Sequence, residues 1–208
     1  MKEAIIVVII LTAISSWFVF RARAQPPQAT NQLDVPKKTP SNEGRELKTP
    51  AGAGRELRLK MLTEPPPDWG LNPTPEYPHV CGVLMDWPIE TTTVSVISFC
   101  SGDASIYTTG SFGVIGGIGH ETVRSAAKSF VKIATEHLGD AVATKDFSYP
   151  KPGRVRFYII CYDEVRFVEA DLEAVRRGND KYSDLYKEGQ RVVTELRLIT
   201  QNQKGQKP

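Results

Sequence analysis

Between Gly110 and His120 the chain reads Gly-Ser-Phe-Gly-Val-Ile-Gly-Gly-Ile-Gly-His, and a helical pattern starts one residue later. Free amide groups at a helix N-terminus attract anions, so Gly116, Gly117, Gly119 and His120 form the candidate ligand-binding set for a small anion or a nucleotide. The spacing is not that of a phosphate loop. There is no G-x-x-x-x-G-K-[ST], Gly117-Ile-Gly119 lacks the third glycine of a dinucleotide fingerprint, and Asp140 closes a helix where a ribose-binding acid would close a strand. The plainer account of the glycines is backbone turning and close packing.

A nucleophile with its base would require Cys100, His120 and Asp103 in mutual contact. Cys100 lies in a strand-like run that points into a core, so no catalytic residue is assigned. His79 and Cys81 have no third and fourth partner, and the sequence has neither a CxxC pair nor a Cys/His ladder, so no metal site and no cofactor is expected. The three cysteines, Cys81, Cys100 and Cys161, each sit in an apolar run. They read as free and buried, which favours a reducing compartment, with one disulfide and a spare thiol as the alternative. His137 falls late in a helix, where a positive charge suits the dipole. Arg154, Arg156, Arg166, Arg176 and Arg177 alternate with Glu164, Glu169, Asp171 and Glu173, the pattern of a solvated, salt-bridged surface. A net charge of +2 with both signs interspersed gives no nucleic-acid footprint.

These residues belong to a domain expected over 78–200. Strands are predicted at Val80–Trp87, at Thr93–Cys100 and, after the turn Ser101-Gly-Asp103, at Ala104–Thr109. Apolar residues Val123, Ala126, Ala127, Phe130, Val131, Ala134 and Leu138 recur at helical spacing from Glu121 onward. Past the Pro150-Lys-Pro-Gly153 loop, two more strands are predicted from Arg154 to Tyr162 and from Val165 to Ala170. A final helix is predicted from Lys181 to about Ile199. The expected fold is α+β, a five-stranded antiparallel sheet in the order βββαββα with two helices on its apolar side.

Upstream, residues 1–24 read as a transmembrane anchor. Residues 4–20 carry no charge and would make a helix of about 25 Å, just enough to span. Arg21 and Arg23 follow it, which orients the C-terminal domain to the cytoplasmic side of the inner or cell membrane as a single-pass protein. The competing reading is a signal peptide cleaved near Ala24, with a secreted or periplasmic domain. Residues 25–77 read as a disordered linker, with ten of the fifteen prolines between 25 and 76. Within it Lys38–Leu47 and Lys48–Leu57 form a tandem repeat identical at seven of ten positions, read as a spacer duplication rather than a docking peptide. The run Arg55-Glu-Leu-Arg-Leu-Lys-Met-Leu62 is expected to allow a short helix, which Pro65-Pro-Pro67 stops. Residues 201–208 read as a disordered tail.

The order of elements resembles profilin-like and roadblock folds in topology, departing from roadblock by an early extra strand and the lack of a clear first helix. Pro65-Pro-Pro-Asp-Trp-Gly70, Gly82-Val-Leu-Met, Ser105-Ile-Tyr, Gly113-Val-Ile-Gly-Gly117 and Gly189-Gln-Arg-Val-Val-Thr-Glu-Leu-Arg-Leu198 resemble an uncharacterised bacterial family with an N-terminal membrane segment. That resemblance implies no activity. The expectation is therefore a membrane-tethered interaction or scaffolding module without catalysis, partnered by the membrane through residues 4–20 and by a second copy or another protein. The alternative is a small-ligand sensor or hydrolase at the glycine stretch and His120.

Overall fold

A computed structural model describes residues 50–110, 113, 114 and 117–205. The expected membrane anchor and the first part of the linker lie outside these residues. Among the described residues no helix is long and apolar enough to cross a membrane.

The described chain begins with helix α1 (Pro50–Thr63), followed by a 3-10 turn at Pro66–Trp69. Strands β1 (Val80–Ile89), β2 (Thr92–Phe99) and β3 (Ala104–Thr108) form an antiparallel meander, which the two-residue β4 (Gly113–Val114) extends. Helix α2 (Glu121–Glu136) leads to β5 (Val142–Ala143), β6 (Arg154–Cys161) and β7 (Val165–Asp171). The short α3 (Leu172–Arg176) and the long α4 (Ser183–Gly205) complete the fold. The sheet order is β4-β3-β2-β1-β6-β7-β5, all antiparallel, with β1 at the centre.

Among the described residues the expected five strands and two helices are thus corrected to seven strands and four helices. Edge strands of two residues and a helix of five carry no periodicity, because pairing and packing with neighbours define them. The disordered linker expected up to residue 77 is corrected as well. Residues 50–63 are helical, Leu62, Leu71 and Tyr77 are buried, and the compact unit starts at Pro50. The second repeat copy therefore supplies part of a packed helix. At the other end α4 runs through 201–205, where a tail was expected.

Both sheet faces are covered, which explains why β1 reads as an apolar run instead of an alternation. On one face Val83, Met85, Val96, Ile106, Phe157 and Ile159 pack against α2 and α4. These helices approach closely at Gly189, where a Cβ would sit 2.6 Å from the Met85 Cε and 3.1 Å from the Phe130 ring. On the opposite face Leu84, Ile97, Phe99, Tyr107, Tyr158 and Ile160 are closed over by Leu62 and Leu71, with Leu57, Met61 and Phe147 partly buried beside them.

Candidate functional site

The α1-covered face has a charged centre. Asp86 on β1 stands in register with Ser95 on β2 and Arg156 on β6, and Arg156 stands in register with Glu169 on β7. Directly opposed residues of an antiparallel pair share a face. The pairing therefore lines up a polar row, Ser95, Asp86, Arg156 and Glu169, across four adjacent strands. Asp86 has no solvent exposure. Its carboxylate accepts from Ser95 Oγ at 2.5 Å and from the Arg58 Nε of α1 at 2.9 Å, with a further Arg58 contact from Nη2 at 2.5 Å.

Arg58 is itself only 3% exposed and meets more than Asp86. Its Nη1 donates to the Phe147 carbonyl at 2.8 Å, and its guanidinium stacks over Tyr149 at 4.2 Å and Tyr158 at 5.4 Å. Tyr158 in turn donates to the Ser148 carbonyl at 2.7 Å. One side chain thus ties α1, the central strand and the 144–150 segment together. Burial dominates and holds the Asp86 carboxyl above the ordinary carboxylate range, while the bonds from Arg58 and Ser95 and the charges of Arg58 and Arg156 pull it back only in part. For Arg58, burial works against the charge, and the bonds and charge of Asp86 outweigh it. The pair is a latch rather than an acid or base, since its hydrogen-bonding atoms are already committed.

Helix α1 has little tendency to form by itself. It starts at Pro50 and carries Gly52 and Gly54 in its interior, each glycine roughly 1 kcal/mol less favourable than alanine. Gly54 is required by the docking. A Cβ there would lie 2.6 Å from the Thr108 carbonyl oxygen.

Of the residues singled out in the sequence, Gly116 lies outside the described residues. Gly117 and Gly119 bracket a 3-10 turn, and His120 follows in extended conformation as the residue before α2. Gly119 has no positive φ, and among the described residues no atom lies within 4 Å of a Cβ placed on it, so contacts with them do not explain this glycine. Asp103 accepts from the amides of Ala104 and Ile118 and so holds the turn against the start of β3. Cys100 Sγ faces the Tyr162 hydroxyl at 4.0 Å. Neither contact involves His120, and no relay joins the three.

Sequence spacing hid the meeting of the cysteines. All three are free, and they converge at one end of β1, β2 and β6. The Cys100 amide donates to the Cys81 carbonyl at 2.8 Å, and Val80 is in register with Cys161. Burial pushes Cys81 up to about 12 and Cys161 up to about 11, and it raises Cys100 too. Thiols held protonated are poor nucleophiles. A shallow pocket of about 360 Å³ opens beside them, lined by His79, Cys161, Tyr162, Glu164 and Arg166 among others. Among the described residues no group of His, Cys, Asp and Glu is arranged to hold a metal ion. The basic positions noted in the sequence are paired: Arg154 and Arg156 with Glu169, Arg166 with Glu164, and Arg176 and Arg177 with Glu173.

The fold and this latched face define an α+β protein built on one antiparallel sheet covered on both sides. No protein-family model matches the chain, and neither does any curated protein or solved structure.

Proposed function

We propose that this chain is a protein-interaction module held at a membrane by residues 4–20, with its domain on the cytoplasmic side, and that it works by binding rather than by catalysis. The observation that carries this reading is the position of α1. It follows the Pro-rich segment directly, brings few apolar groups of its own, and covers an aliphatic and aromatic sheet face with a buried charge at its centre. Release of this cover breaks the Arg58–Asp86 pair and the contacts of Leu57, Met61 and Leu62 but no strand pairing, which makes α1 the element suited to open locally while the sheet stays intact. Attachment to a surface would concentrate the uncovered face near partners there. The raised thiol pKa values and the committed carboxylates give a reaction little to work with.

The test is crosslinking of the full chain in its native cell, followed by purification and mass spectrometry. A reproducible crosslinked partner is expected, lost when an engineered covalent link fixes α1 to the sheet so that the face beneath it cannot be uncovered. Recovery of the chain uncrosslinked, as a monomer, would overturn the reading. A reporter fused to the C-terminus decides the side of the membrane, and export with cleavage near Ala24 is the outcome that would reverse the assignment.

A second reading has one observation in its favour, the lack of contact between the described residues and a Cβ placed at Gly119, just ahead of α2. There the chain would be a sensor of small anions or nucleotides, with Gly117, Gly119 and His120 at the ligand.

A further inference from the structure

We infer that the sheet face under α1 is an exchange site, and that the α1 helix of a second copy of this chain replaces the resident one to give a two-fold dimer. The inference rests on the reading of the chain as an interaction module and names its partner.

The chemistry of the face restricts its occupant. Asp86 is fully buried in an otherwise largely apolar surface, and a cover that brings no cation leaves its carboxylate with only the Ser95 hydroxyl and the charge of Arg156 from the neighbouring strand. The cover must also approach the Thr108 carbonyl without a side chain in the way, and it must fill the space beside Leu84, Ile97 and Tyr158 with aliphatic groups. Gly54, Leu57, Arg58 and Leu62 meet those demands in one helix. A second copy brings the same four residues at the same spacing.

The topology permits the exchange. Within the described fold α1 is joined to the remainder only at its C-terminal end, where Glu64 and the extended Pro65 lead into the 3-10 turn at Pro66–Trp69, so rotation about Glu64 and Pro65 would carry the helix outward while that turn stays packed through Pro66 and Leu71. No strand is disturbed, because β1 starts only at Val80. Exchange of an identical element reproduces every contact and closes on itself, which makes it a low-cost route to a dimer. Residues 21–49 can span at most about 100 Å, so two chains attached to one membrane can trade helices without detaching.

The test uses two full-length variants in dodecylmaltoside micelles, Arg58→Asp and Asp86→Arg, one of them isotopically heavy. Alone, each sets like charges against each other under its own α1. Mixed, each α1 finds the opposite charge only on the other chain. Native mass spectrometry is expected to show a heterodimer at least tenfold above either homodimer, with α1 amides protected from hydrogen exchange only in the mixture. Light and heavy wild-type chains are expected to form mixed dimers. If neither variant folds alone, co-expression decides: recovery only as a pair supports the exchange. Overturning results are a mixture without heterodimer, or wild-type chains that stay monomeric. A monomeric wild-type chain that crosslinks a different protein through α1 removes the exchange and leaves the interaction reading standing.

Discussion

Arg58 Nε donates to Asp86 Oδ2 at 2.9 Å, joining a weak helix to the central strand of the sheet with both side chains out of water. Replacing either residue alone by alanine is expected to destabilise the domain by about 3–5 kcal/mol, because the survivor is a buried charge without a partner. The joint change Arg58→Met with Asp86→Leu should recover most of that loss. Denaturant melts of the three variants check the pattern, and a double variant no better than the single ones would contradict it.

Gly54→Ala separates helix propensity from docking. Alanine favours an isolated helix by about 1 kcal/mol. Here its Cβ meets a backbone oxygen at 2.6 Å, which cannot swing aside as a side chain can. Faster hydrogen exchange across α1, with the α2 and α4 amides unchanged, is the expected outcome.

Stability should fall in alkali. Folded Tyr77, Tyr107 and Cys81 keep their protons up to about 12, against ordinary values of 10.0 for the tyrosines and 9.0 for the thiol, chiefly because burial disfavours their charged forms. Between those values the folded chain binds more protons than the unfolded one, so the stability of folding decreases as pH rises. The contribution is complete below about pH 9 and is lost toward about pH 12. Melting temperatures measured from pH 7 to 12 should be level at first and then decline.

The β1–β2 connection holds Glu90 at φ 52°, the only non-glycine with positive φ among the described residues. An L-residue is disfavoured there by about 1–2 kcal/mol, and a two-residue hairpin with positive φ at its first position suits glycine. After the added freedom of the unfolded chain is deducted, Glu90→Gly is expected to stabilise the domain by about 0.5–1 kcal/mol. A lower midpoint in urea would refute this.

Inorganic phosphate and nucleoside triphosphates are expected to leave the melting temperature unchanged, and His120→Ala should behave as wild type. A specific native-state ligand raises the midpoint by mass action. A saturable rise abolished by His120→Ala would therefore transfer the function to the glycine turn.

Much of the sheet was legible because its long strands carry their own signals. β-branched runs located β2, β6 and β7, and the spacing from Val123 to Ala134 located α2. Helix α1 was not legible as a packed element. Glycine, alanine and proline dominate its first half, and a single leucine per repeat gives no apolar face. What makes it helical is tertiary: a carbonyl at Thr108 and a carboxylate at Asp86, on strands about 30 to 50 residues away. A signal was present in Asp86, an acid inside the run from Val80 to Trp87, which demands a cation from elsewhere. Pairing register was needed to place Ser95, Arg156 and Glu169 beside it. The cysteine cluster escaped for the same reason, since three strand ends meet only once the strand order is known.

The attachment of α1 at the head of the domain sets how the molecule carries a mechanical load. A pull through residue 50 meets α1 first, then the 64–79 connection, and only then β1, whose removal would split the sheet. Peeling fourteen helical residues to an extended chain would add about 25 Å of length ahead of the sheet. Under a load applied at residue 50, α1 and its ion pair lie in series before β1, so they would bear that load ahead of the seven-stranded sheet.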